Sequence, residues 1–364
     1  MNSLTSMLIP SRNTACQRGL TLIELMVAMA IGLVVMATMV KVYVDSSRLY
    51  RFNDEFSQMQ ANGRFALEFM RRDARLAGFW GCNRNADLKN LVAVGATNRR
   101  SYTNVDDSTN PFDATKGSAI EGKDDDSLTA WTHQISAWNE SDTITFRGAT
   151  SKSLSLSADI PAGVLTADVE LTSSDHGIES SDTVLISDCY EGDIFEVTGT
   201  PGSNIPHGVT FSKAYKKAES GLYPVHENEY CIAPGIDGVT PALRRLRYPR
   251  KTGGALECAV HGDSLIEGAE NLQILYGVDT DGTADGIANK YVPWSDDVTV
   301  LNPERIVSVR ISLLLRSINN SVTEDPQPFT YMGTTTTPPA TDRFLRRVFN
   351  ATISLRNGVI VSGS

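Results

Sequence analysis

Two hydrophobic rhythms divide this chain. From residue 20 to residue 40 nearly every position is apolar, in the run LTLIELMVAMAIGLVVMATMV. As a helix rising 1.5 Å per residue this stretch reaches ~30 Å, the thickness of a bilayer's hydrocarbon core. Past Lys41 the apolar positions thin to Leu49, Phe52, Phe56, Met59, Gly63, Ala66 and Met70, at alternating steps of three and four with charged residues between. That is the spacing of one buried stripe on an amphipathic helix. No proline falls between Pro10 and Pro111, so nothing forces a break. The pattern predicts one helix over 20–77, membrane-spanning over 20–41 and ~87 Å long if straight, stopped by Gly78 in the segment AGFWGC.

From about residue 83 the helical period gives way to short alternating runs bounded by Gly, Pro, Asn and Asp. Strands are expected at 142–147, 164–171, 183–187, 194–198, 242–248, 255–260, 271–278, 306–317 and 346–356. In the 306–317 run Val309, Ile311, Leu313 and Leu315 share one face and Ser308, Arg310, Ser312 and Arg316 the other, as in a half-buried strand. The expected class is therefore α+β: a long N-terminal helix covering one face of a β-rich head. Its segments are a leader at 1–19, the helix at 20–77 and the head at 78–364. The polar stretches 104–127 and 334–342 read as solvated loop insertions. The aromatic pair Phe79 and Trp80 reads as core or lid.

Charge narrows the function. The 364 residues carry 33 Lys+Arg against 43 Asp+Glu, a formal net charge of -10, and an acidic surface repels a phosphate backbone, so no nucleic-acid partner is expected. The five histidines, His133, His176, His207, His226 and His261, sit in unrelated contexts. Without a metalloprotease helix, nucleophile elbow or phosphate loop among the motifs, no catalytic residue and no enzyme activity are expected. Of the five cysteines, Cys16 precedes the apolar run, and Cys82, Cys189, Cys231 and Cys258 follow it. Four cysteines beyond a membrane span suggest two disulfides, with three connectivities open. One cluster departs from background: in GVDTDGTADG, residues 277–286, Asp279, Asp281 and Asp285 surround a glycine turn. Asp and Gly are common turn residues, and a tight turn between strands is the expectation. The alternative is a calcium loop of hard oxygen ligands, the one cofactor the chain suggests.

The N-terminus carries the strongest motif. Residues 1–19 contain Arg12 and Arg18 and no acid, which holds that end on the cytoplasmic side. The single acid in the apolar run, Glu24, costs at least ~3 kcal/mol in lipid and calls for a partner. RGLTLIE, with Gly19 before Leu20 and Glu24 four residues on, resembles the class III signal of type IV pilins and type II secretion pseudopilins, with leucine where phenylalanine is more usual. The resemblance implies cleavage after Gly19 by a prepilin peptidase, N-methylation of Leu20, and a pairing of Glu24 with the free amine of a neighbouring subunit that sets register.

QANGRFALEFMRRDARLAGFWGC, residues 60–82, resembles more narrowly the PilW family of type IV pilus minor pilins. The segments 181–198, 270–282 and 346–357 are similar to that family in style. The resemblance implies a minor pilin that starts, caps or decorates a type IV pilus. Its expected partners are other minor and major pilins, the prepilin peptidase and the inner-membrane assembly platform. The implied location is a single-pass inner-membrane protein with a periplasmic head, and afterwards the pilus. The alternatives are a type II secretion pseudopilin and a pilus-tip adhesin that binds a ligand.

Overall fold

The proline-free, cap-to-glycine stretch forms a single 55-residue helix, α1, Leu22–Leu76. The structure is a computed structural model that describes residues 20–81, 88–89, 119–126, 141–163, 169–248, 258–281, 285–295, 301 and 305–357. The chain separates into two units, Met1–Asn53 and Asp54–Ser364, and α1 begins in the first and ends in the second. In the first unit the helix exposes Leu25, Ile31, Leu33 and Val34 together with the rest of its apolar surface, and it is long and apolar enough to cross a membrane. Leu49 belongs to this exposed part, at 61%, and Phe52 and Phe56 are half-buried. The expected buried stripe therefore operates only from Met59 onward.

In the second unit α1 buries Glu55, Met59, Gly63, Ala66, Leu67, Met70, Asp73 and Ala74. The helix ends where Gly78 takes φ +74°, a left-handed turn that costs a residue without Cβ nothing. The Gly78 N–H leaves the helical ladder to bond Arg147 O at 2.9 Å. The last carbonyls, which have no helical partner, are met by Asn357, whose Nδ2 donates to Arg75 O at 3.2 Å and Ala77 O at 3.3 Å. Trp80, just past the exit, is buried with Leu185, Ile194 and Val225, and Phe79 packs against them. The pair is core.

The strands in chain order are β1 (Leu88–Lys89), β2 (Ile120–Asp126), β3 (Ser141–Ala149), β4 (Leu154–Ser155), β5 (Val169–Glu170), β6 (Thr183–Ser187), β7 (Gly192–Glu196), β8 (Asn204–Ile205), β9 (Gly221–Pro234) and β10 (Pro241–Tyr248). The short helix α2 (Cys258–His261) follows, then β11 (Asp263–Glu267), β12 (Ala269–Val278), β13 (Lys290–Val292), β14 (Ile306–Arg316), β15 (Phe329–Tyr331), β16 (Thr334–Thr336) and β17 (Arg346–Ser354). A nine-stranded sheet is organised by β9, and a four-stranded sheet has the order β13-β12-β14-β17. The first half of β9 pairs with β4 and β6, and the second half with β3 and β10. The main core joins both sheets to the helix: Met59, Ala66 and Met70 lie with Ile144, Phe146, Tyr230, Leu272, Ile311 and Leu313. A second core gathers Val184, Phe195, Phe211 and Tyr215 between residues 156 and 222.

Most expected strands form, and three expectations need correction. Residues 120–126, read as part of a polar loop, are β2, an antiparallel partner of β3 with Ile120 buried. Its charges sit on an outer strand of the sheet, where they discourage edge pairing, and so dilute the apolar signal. Of the expected strand 255–260, residues 255–257 lie outside the described residues and 258–260 fall in the one-turn α2. The tract 334–342 begins as β16, which closes a hairpin with β15; the buried Tyr331 hydroxyl donates to Ser312 O at 2.8 Å and seats that hairpin on the four-stranded sheet. The longest strand, β9, gave no apolar run to read, because Glu227 and Glu229 are buried within it. A buried charge needs a partner, and Glu227 Oε1 takes Arg147 Nη2 at 3.1 Å.

β17 is fixed to β12 by buried charge as well as by its ladder with β14. Arg346 Nε meets Glu270 Oε2 at 2.7 Å, and its Nη2 meets Asp342 Oδ2 at 2.7 Å. The fork of the guanidinium thus satisfies two carboxylates at once, the geometry in which a buried ion pair is best compensated.

Candidate functional site

The expected processing site is at the start of α1. Gly19 lies outside the described residues; Leu20 follows, 79% exposed, and the helix begins at Leu22. Thr21 is then the residue just before the helix and Glu24 its third residue. Thr21 Oγ1 accepts the Glu24 N–H at 3.3 Å, and Glu24 Oε2 accepts the Thr21 N–H at 3.0 Å and the Thr21 hydroxyl at 3.1 Å. This is a reciprocal capping box, which satisfies two N–H donors that the helix end would otherwise leave bare. In lipid or at its boundary such donors are costly, so the box is suited to a helix start placed there. The T-x-x-E spacing of Thr21 and Glu24 is legible in the sequence, but a lone acid in an apolar run carries no local sign that it also caps the helix. Both bonds fall on Oε2; Glu24 Oε1 accepts no hydrogen bond among the described residues.

Three of the four cysteines beyond the apolar run lie among the described residues. Cys231 on β9 and Cys258 at the start of α2 form a disulfide, 27 residues apart, with both sulfurs buried beside Leu246. Cys189 is disulfide-bonded too, and Cys82 lies outside the described residues.

The third candidate, the acidic turn, links β12 to β13. Asp279, Asp281 and Asp285 each offer a carboxylate oxygen, and these oxygens lie within 4.8 Å of one another. Asp279 Oδ2 accepts the Gly286 N–H at 2.9 Å and Asp285 Oδ1 accepts the Ile287 N–H at 2.9 Å. Asn289 braces the middle: its Nδ2 donates to Asp281 Oδ2 at 3.1 Å, and its Oδ1 accepts the Thr280 N–H at 2.8 Å. Asp279 is also held at the backbone, its N–H donating to Arg305 O at 3.0 Å.

Among the described residues the histidines are dispersed. His176 Nε2 bonds Gly202 O at 2.7 Å, and His207 stacks against Phe195 and Phe211. His226 is held in β9 with its Nε2 buried and without a hydrogen-bond partner among the described residues.

Two family models match this chain. Residues 14–40 match the prokaryotic N-terminal methylation motif, and residues 229–357 match type IV pilus-assembly protein W. No curated protein and no solved structure matches it. The first match covers Leu20, Thr21 and Glu24. The second runs from the later half of β9 to the residue that caps α1, and takes in the Cys231–Cys258 bridge and the acidic turn. Of the segments similar to the PilW family, 270–282 and 346–357 lie inside the match, and 60–82 and 181–198 lie outside it.

Proposed function

We propose that this chain, which carries a type IV pilus-assembly protein W region behind an N-terminal methylation motif, is a minor pilin that helps to prime or cap the pilus. The observation that carries the reading is the joint occurrence of those two matches on one chain, with the first at the start of a helix apolar enough to span a membrane. In this reading a prepilin peptidase cuts after Gly19 and the amine of Leu20 is methylated. The helix anchors the head on the periplasmic side of the inner membrane until the assembly platform transfers the subunit into a filament of minor and major pilins. Glu24 meets the Leu20 amine of a neighbouring subunit. A single carboxylate serves both ends of that contact: Oε2 closes its own helix through Thr21, and Oε1 is left for the incoming cation. No step is catalytic, and the head acts through the surfaces it offers to other pilins.

A secretion pseudopilin would share the leader and the helix. The pilus reading is favoured because the head, and not only the shared N-terminus, matches a pilus-assembly family. Deleting the gene and counting surface pili by electron microscopy tests it. Loss of pili, restored by the full chain, is the expected result; normal numbers of normal pili, with secretion impaired instead, would sink it.

A further inference from the structure

We propose that the turn between β12 and β13 binds one calcium ion through Asp279, Asp281 and Asp285. A polar turn alone accounts for part of what is seen: carboxylates next to glycine commonly cap backbone N–H groups, as Asp285 does for Ile287. It does not account for Asp279. This residue is only 5% exposed, and while Oδ2 holds the Gly286 N–H, Oδ1 is buried with no hydrogen-bond partner among the described residues. A buried carboxylate oxygen without a donor is unfavourable, and natural structures satisfy such atoms with a proton donor, water or a cation. The other two carboxylates close by add charge of the same sign, which deepens the need for a cation.

The spacing suits calcium. Calcium takes oxygen ligands at 2.3–2.6 Å, so two ligands of one ion stand at most about 5 Å apart. The three offered oxygens fall within that span, at 4.8 Å or less. Magnesium, bound at 2.0–2.1 Å in strict octahedral geometry, limits the span to about 4.2 Å and keeps most of its water. The remaining bonds hold the ligands in place from behind, as supporting contacts do in built metal sites: Asn289 steadies Asp281, and Arg305 O fixes the backbone of Asp279. The bound ion would lock the β12–β13 connection, and with it the edge strand of the four-stranded sheet.

The test uses the full chain in detergent, stripped with a chelator and titrated with calcium chloride in a calorimeter, with magnesium chloride alongside. One saturable calcium site is expected, with a dissociation constant on the order of 10⁻⁴–10⁻³ M, typical of extracytoplasmic modules, and no saturable magnesium heat. Asp281 and Asp285 are exposed, so Asp281→Asn and Asp285→Asn should keep the wild-type circular dichroism spectrum and weaken binding about tenfold or more. The thermal midpoint of the wild type should rise with calcium, which gives a reading that needs no variant. Absence of saturable heat, unchanged affinity in both variants, equal binding of magnesium, or a thermal midpoint indifferent to calcium would each overturn the proposal.

Discussion

The Tyr230 hydroxyl on β9 donates a 2.5 Å hydrogen bond to Asp73 Oδ2 on α1, 157 positions earlier in the chain. Both side chains are buried at the seam between helix and sheet, and Arg245 Nη1 stands 3.7 Å from the same carboxylate oxygen. Burial, reinforced by the Asp73 charge, pushes the pKa of the Tyr230 hydroxyl well above its ordinary value, so it remains a donor at every physiological pH. Tyr230→Phe would leave Asp73 buried with the longer Arg245 contact alone. The expected loss is ~1–3 kcal/mol, the penalty of an under-satisfied buried acceptor, read as a lower denaturant midpoint. In a chain already carrying Asp73→Ala, the same change should cost much less, because the coupling is gone.

Gly63 records how closely the helix approaches β17. A Cβ at this position would lie 2.6 Å from the Phe349 ring, inside van der Waals contact. Gly63→Val is expected to destabilise the head by ~1–3 kcal/mol through overpacking, despite the better helix propensity of valine. Phe349→Ala in the same chain should recover part of that loss. Denaturant unfolding followed by tryptophan fluorescence checks both.

His226 predicts a pH dependence. Its burial holds the imidazole below its ordinary value of 6.5, with Arg247 and Arg72 adding to the effect against an opposing pull from Asp73. At neutral pH the group is uncharged in both folded and unfolded chains. As pH falls below 6.5 the unfolded chain takes up the proton first, so stability declines through that window until the folded pKa is passed. His226→Gln should flatten the stability profile just below pH 6.5; a slope equal to wild type there would exclude His226 as its source.

At the N-terminus, capping and register can be separated. Thr21→Ala removes one side of the capping box, a loss of ~1 kcal/mol to the helix start, and leaves the Glu24 charge in place. Piliation should persist in that variant and fail in Glu24→Ala, provided each is the sole copy; equal defects in the two would mean that Glu24 acts only as a cap. Gly19→Ala should keep the leader attached, and N-terminal sequencing that found normal cleavage would refute the assigned site.

The sequence by itself determined those features in which one residue's role depends on near neighbours. The apolar run, the absence of proline as far as Pro111, the Gly78 stop, the signal around Gly19 and Glu24, and the alternation along β14 are all local patterns. They were enough to give an α+β chain with a membrane-competent helix and a pilus-type N-terminus. The tertiary structure decided whatever depends on a partner distant in the chain. β9 was illegible because its buried acids look exposed until Arg147 is set across from Glu227. Residues 258–260 look like strand in the sequence, yet they form a helical turn whose first residue, Cys258, is bonded to Cys231 on β9. The apolar stripe looks continuous from Leu49, yet its apolar positions are buried only from Met59 onward. In each case the local pattern specifies a surface, and which surface faces it is set by contacts that no short window of sequence contains.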